Sequence, residues 1–213
     1  MSWYFAPYYL ILAAGVIIGA WHYKTLPNSL RFLFWTFCVA TVTEYVALFQ
    51  ILRYQNNLLV YHLYIPVAFT LYCLTYYSEI GNRIILYSIG FFLVFYGINI
   101  SLWQPFLTKF GSNSAILMLV LTTIWVLWYF RRLLANPEEK HLKNYALFPA
   151  SCGLLLFNTS TLIVFSAHDI LSEQEYIAAF PVFNIIRQVA NDILYSTFIL
   201  SFIGKKVTLR PQT

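Results

Sequence analysis

The stretch FNIIRQVANDILY (residues 183–195) sets an arginine, an aspartate, two asparagines and a glutamine into an otherwise apolar run. At about 100° per residue, Asn184, Arg187, Gln188, Asn191, Asp192 and Tyr195 fall within roughly 140° of arc, and Ile, Val, Leu and Phe fill the opposite side. Charged side chains near a bilayer centre cost about 2.5 to 3.5 kcal/mol each on insertion scales, so the stripe is expected to face a bundle interior. Arg187 and Asn191 are one turn apart, as are Gln188 and Asp192, giving each charge a local amide neighbour. The rest of the chain reads as the housing of this stripe.

Composition agrees with that reading. The chain has 213 residues, of which 60% are hydrophobic and only 10% charged, with a mean hydropathy of +0.67. Soluble domains carry about a quarter charged residues. An all-α polytopic membrane protein is therefore expected. Seven apolar segments of spanning length run over about 4–21, 30–52, 58–77, 84–102, 114–129, 145–165 and 177–203. They make one seven-helix transmembrane domain over 1–213 and leave no room for a separate soluble domain. The first segment lacks a basic region before it and is expected to be retained as a span.

Loop charge sets the expected orientation. Lys24, Arg31, Arg83, Arg131, Arg132, Lys140, Lys143, Lys205, Lys206 and Arg210 fall on one side, against Arg53 and Lys109 on the other. The positive-inside rule then places the amino terminus outside and the carboxyl terminus in the cytoplasm. The formal charge of +5 is dispersed over span ends rather than gathered in a patch, which argues against nucleic acid as a partner. Cys38, Cys73 and Cys152 lie inside spans and are expected to be buried, unpaired thiols. Tyr4, Tyr8, Tyr9, Trp21, Tyr23, Tyr76, Tyr77, Trp103, Trp128 and Tyr129 sit near span ends and read as interfacial belts.

Matching residues by depth brings further polar groups to the level of the stripe. Glu44 lies slightly outside the middle of the second span. His62, with Tyr61 and Tyr64 beside it, is in the outer third of the third, where Pro66 frees a backbone carbonyl. Asn158, Thr159 and Thr161 occupy the outer half of the sixth span, and Asn99 the outer end of the fourth. An outward-facing pocket for a small ligand is expected, with Arg187 offering a planar fork to an anionic or carbonyl group and Glu44 with His62 setting its protonation. The alternative is an internal salt-bridge network, Glu44 or Asp192 neutralising Arg187, that only fixes helix register. His168 and Asp169 supply two donors in one loop, too few for a metal site.

Several chemistries lack their residues. The last span has no lysine for a retinal Schiff base before Lys205, and no histidine pair of the kind used by seven-span zinc hydrolases. No nucleotide loop, haem pair or Ser-His or Cys-His pair is present, so neither cofactor, metal nor catalysis is expected. TEY (43–45) and NNLLVYHLYIPVAF (56–69) resemble segments of uncharacterised seven-span membrane proteins of Bacteroidota, similar to the membrane portions of some sensor histidine kinases. The resemblance implies an inner-membrane location and a sensory role. With ten residues after Ile203, any signal is expected to pass to a cytoplasmic or membrane partner. Three readings stay open: a binding or sensory module, a small-solute or proton-coupled transporter, and a structural subunit. Matching orientation of spans one to three and five to seven also permits a parallel repeat.

Overall fold

The computed structural model describes residues 6–53, 55–105, 110–135, 142–170, 173–204 and 207–209. Tyr4, Lys109, Lys140, Lys205, Lys206 and Arg210 lie outside the described residues, as do the side chains of Lys143, His168 and Asp169. Among the described residues seven α-helices follow one another: α1 Ala6–His22, α2 Asn28–Leu52, α3 Leu58–Ile80, α4 Ile84–Ile98, α5 Ser112–Ala135, α6 Phe148–Ile170 and α7 Glu173–Ile203. Asn99–Trp103 continues α4 as a π-helical turn, and no strand is formed among the described residues.

Five of these segments are long and apolar enough to cross a membrane: Asn28–Leu52, Leu58–Ile80, Ile84–Trp103, Ser112–Ala135 and Phe148–Ser166. The two others expected as spans fall short for different reasons. α1 has 17 described residues, and α7, at 31, carries the polar run from Asn184 to Asp192 that lowers its hydropathy. α6 begins at Phe148 rather than 145 because Tyr145 bridges to Val207 and the Ala146 N–H donates to the Val207 carbonyl at 2.9 Å.

Helices α1, α2, α3, α5, α6 and α7 close a ring in that order, α2 also touches α7, and α4 stands outside against α3 and α5. The core between α1, α2 and α7 is aromatic. Phe37 meets Tyr195 edge-on at 5.3 Å and packs on Phe198 and Phe202. Small residues let the helices approach. A Cβ at Gly15 would overlap the Phe37 ring, and one at Gly153 would overlap Thr197 Oγ1, which brings α6 onto α7.

Of the belt aromatics, Trp21 and Trp103 are exposed, but Tyr8, Tyr76 and Tyr129 are core residues. Interior partners explain the difference: the Tyr76 hydroxyl lies 3.0 Å from Ser151 Oγ. The thiols also differ from expectation. Cys73 is buried, Cys38 half-buried and Cys152 exposed, because position 152 points out of the ring from α6.

One end of the bundle carries the connections α1–α2, α3–α4 and α5–α6, and the chain after α7. There Glu79 accepts from Ser29 Oγ at 2.6 Å and from the Leu209 N–H at 2.8 Å, while Arg132 donates to the Ile80 carbonyl. Lys24, Arg31, Arg83, Arg131 and Arg132 belong to this end.

Pro66 has no N–H to offer the carbonyl four residues earlier, that of His62. The Tyr96 hydroxyl from α4 takes that carbonyl at 2.8 Å. Tyr96→Phe is therefore expected to lower stability by about 1 kcal/mol, and Pro66→Ala to remove most of that loss by restoring the helical donor. A double-mutant cycle on unfolding in detergent measures this; strictly additive effects would defeat the pairing.

Candidate functional site

Three helices present matched stripes to a common space. Tyr61, Tyr64, Ile65 and Tyr72 on α3 face Ala115, Met118, Leu119 and Thr122 on α5 and Leu154, Phe157, Asn158, Thr161 and Phe165 on α6. The lining residues follow i, i+3, i+4, i+7 spacing on α5 and α6 and i, i+3, i+4, i+11 on α3, so each helix contributes one face. Between them is a cavity of about 120 Å³. At about 30 Å³ per water in the liquid, that is room for a few waters or one very small organic molecule.

The walls are aromatic and aliphatic, and the polar groups are uncharged. Asn158 is buried, and its Nδ2 donates to Thr122 Oγ1 at 2.9 Å, Thr123 Oγ1 at 3.1 Å and the Leu119 carbonyl at 3.3 Å. These bonds tie α6 to α5 and fix one wall. Thr122 and Thr123 give their own protons back to helix carbonyls, a habit of hydroxyls in apolar helices. Thr161 differs from them: its Oγ1 is buried and has no hydrogen-bond partner among the described residues. A hydroxyl left unbonded in an apolar site costs about 1 to 3 kcal/mol, so a polar guest at Thr161 gains what the protein lacks there.

The expected site residues divide between this cavity and other places. Tyr64 and Asn158 line the cavity. Glu44 is half-buried on α2, within electrostatic range of Tyr8 and Tyr9 and of the cavity tyrosines Tyr61 and Tyr64. His62 is fully buried, but its ring faces Tyr96, at 6.5 Å between centroids, and Gly111. One residue along a helix is a turn of about 100°, which separates His62 from the face shared by Tyr61 and Tyr64. The expected Glu44–His62 partnership therefore has no counterpart in these contacts.

The polar stripe of α7 does not line the cavity, although Arg187 is within electrostatic range of Glu44 and of Tyr61 on the cavity wall. Arg187 is exposed and donates to Asn184 Oδ1 on its own helix at 3.2 Å, rather than to Asn191. It makes no ion pair within 4.0 Å with Glu44 or Asp192. Gln188 Nε2 donates to Asp192 Oδ1 at 3.1 Å as the spacing predicts, and Asn184, Gln188, Asn191 and Asp192 are all half-buried. Of the stripe, Tyr195 is buried as expected, and it shares the interior-facing part of α7 with Ala190, Leu194 and Phe198. Asn99 is buried in a separate network with Gln104, Asn113 and Ser114 that joins α4 to α5.

Depth along the spans brings out Tyr61 and Thr161 in the sequence, but not Tyr72, Thr122 or Glu79. The available signal was the repeated stripe spacing on segments three, five and six. The chain is thus an all-helical bundle of membrane-spanning hydropathy, with a small neutral cavity between α3, α5 and α6. No protein-family model, curated protein or solved structure matches the chain. No group of three or more His, Cys, Asp or Glu side chains suited to a metal ion occurs among the described residues.

Thr161→Val keeps the shape and removes the unbonded hydroxyl, so it is expected to leave stability unchanged or raise it by up to about 1 kcal/mol. Asn158→Leu removes the tie to α5 and is expected to cost about 1 kcal/mol, the scale of interhelical hydrogen bonds between apolar helices. Thermal unfolding of the purified protein in one detergent compares the two. A destabilised Thr161→Val would mean that the hydroxyl is already satisfied.

Proposed function

We propose that the chain is an integral membrane protein of a bacterial inner membrane, with all seven helices crossing the bilayer and the carboxyl terminus in the cytoplasm. The grouping of Lys24, Arg31, Arg83, Arg131 and Arg132 at one end of the bundle supports this orientation. Exposed apolar side chains such as Leu10, Tyr87, Phe91 and Ile163 support a lipid surround. In this frame the cavity lies in the outer half of the bundle.

Its proposed role is that of a binding or sensory module acting through a partner protein, and its ligand is a small, neutral molecule with a hydrogen-bonding group. The observation that carries this reading is the unpartnered Thr161 hydroxyl in an aromatic-lined space. The ligand is neutral because no charged side chain is among the described lining residues, and it is small because drug-sized ligands need about 300 Å³ or more. Binding shifts helix packing only to the extent that one arrangement holds the guest better, and α3 is placed to pass on that preference through Tyr64 and Tyr72.

Phenol and short alcohols are suitable probes. With phenol at about a hundredfold excess over its dissociation constant, linkage predicts about 2.7 kcal/mol of added stability. Thermal unfolding is expected to register that gain in the parent protein, and to lose most of it in Ala115→Leu, which fills the space, and in Thr161→Val. Equal stabilisation of all three proteins would refute the cavity as the site.

A transporter is the second reading, favoured by the place of α4 outside a ring made of α1–α3 and α5–α7, an arrangement open to a repeat about α4. In that case liposomes bearing the protein accumulate the bound molecule, whereas a sensory module binds without flux.

A further inference from the structure

At the other end of the bundle, away from the cavity, an open cleft of about 700 Å³ lies between the turn joining α3 to α4 and the last turns of α5. Its backbone is held firmly. Gly81, at φ 71°, ends α3 with its N–H on the Tyr77 carbonyl, and Asn82 Oδ1 accepts from the Ile84 N–H at 2.9 Å to start α4. Across the cleft, Arg132 is anchored through the Ile80 carbonyl.

Three arginines, Arg83, Arg131 and Arg132, line this cleft together with Asn82 and Trp128. No carboxylate is among its described lining residues. Glu79 is close in sequence, but its two oxygens are taken by Ser29 Oγ and the Leu209 N–H. Arg83 and Arg131 are exposed and have no side-chain hydrogen bond or ion pair among the described residues. Like charges gathered from two separate segments repel one another unless an anion sits between them. Guanidinium forks suit the oxygens of phosphate, to which they donate in pairs.

We infer that this cleft binds a phosphate group, either that of an anionic phospholipid headgroup or that of a soluble phosphate compound. Trp128 places the cleft at the level where indole rings settle, between the hydrocarbon and water. The exposed flank of α4, including Ile84, Tyr87 and Phe91, runs from the cleft along the direction a lipid tail would take. Basic pockets between helices on the cytoplasmic side are suited to such headgroups. The site shares no residue with the cavity between α3, α5 and α6, and it stands whether or not that cavity takes a ligand.

The full chain in nanodiscs provides the test, with retained lipid read by native mass spectrometry. Phosphatidylglycerol mixed into phosphatidylcholine is expected to be retained by the parent protein and to be lost about tenfold more readily from Arg83→Gln/Arg131→Gln. Lys24→Gln removes a charge from the same face outside the cleft and is expected to retain lipid as the parent does. Arg132 is left in place because it anchors the turn, and thermal unfolding in pure phosphatidylcholine verifies that each variant is folded. A second arm adds inorganic phosphate to phosphatidylcholine nanodiscs. Stabilisation of the parent but not of the cleft variant assigns a soluble phosphate, and stabilisation by phosphatidylglycerol alone assigns the headgroup. Equal loss of retention from Lys24→Gln and the cleft variant, or no response to either phosphate source, overturns the inference.

Discussion

A polar group inside a bundle of apolar helices has only the rest of the chain to bond with, and this constraint orders the whole molecule. The carbonyl freed by Pro66 is met by Tyr96 from another helix. Buried Asn158 spends its amide protons on α5, and buried Asn99 joins the ends of α4 and α5. Glu79, the most deeply buried carboxyl group of the described chain, is met by a hydroxyl and a backbone N–H. Each satisfied group also fixes the relative position of two segments, so the polar minority sets the register that non-directional apolar packing leaves free.

Against that background an unsatisfied hydroxyl on a cavity wall stands out. Thr161 is buried on α6, yet it alone among the cavity hydroxyls of α5 and α6 has no partner among the described residues. Its surroundings are too apolar to solvate a charge and large enough for a small guest. The two candidate sites divide the chemistry of the bundle. A neutral space lies between α3, α5 and α6, and an open basic cleft lies at the far end, between the α3–α4 turn and α5.

Much of the architecture could be read from hydropathy. Segments three and four are found where expected at their starts, Leu58 and Ile84, because long apolar runs bounded by Asn, Gly and Arg have few other options. The site was less legible. Depth matching brought Glu44, His62, Asn158 and Arg187 to similar levels, but depth does not give the direction in which a side chain points. His62 and Tyr61 are neighbours in sequence and face different helices. Arg187, the most conspicuous residue in the chain, lies at the surface of α7 with Asn184.

Sequence by itself determined that the chain forms long apolar helices, that its basic residues gather at one end, and that Pro66 leaves a carbonyl to be satisfied. These are local properties of composition, spacing and backbone chemistry. Only the tertiary structure decided which faces meet: the tyrosines of α3 with α5 and α6, Glu79 with the segment after α7, and three arginines around one turn. Helix rotation and neighbour choice depend on the fit of whole surfaces, such as Gly153 against Thr197 and Phe37 against Tyr195, and that fit is a property of pairs of helices rather than of any one stretch.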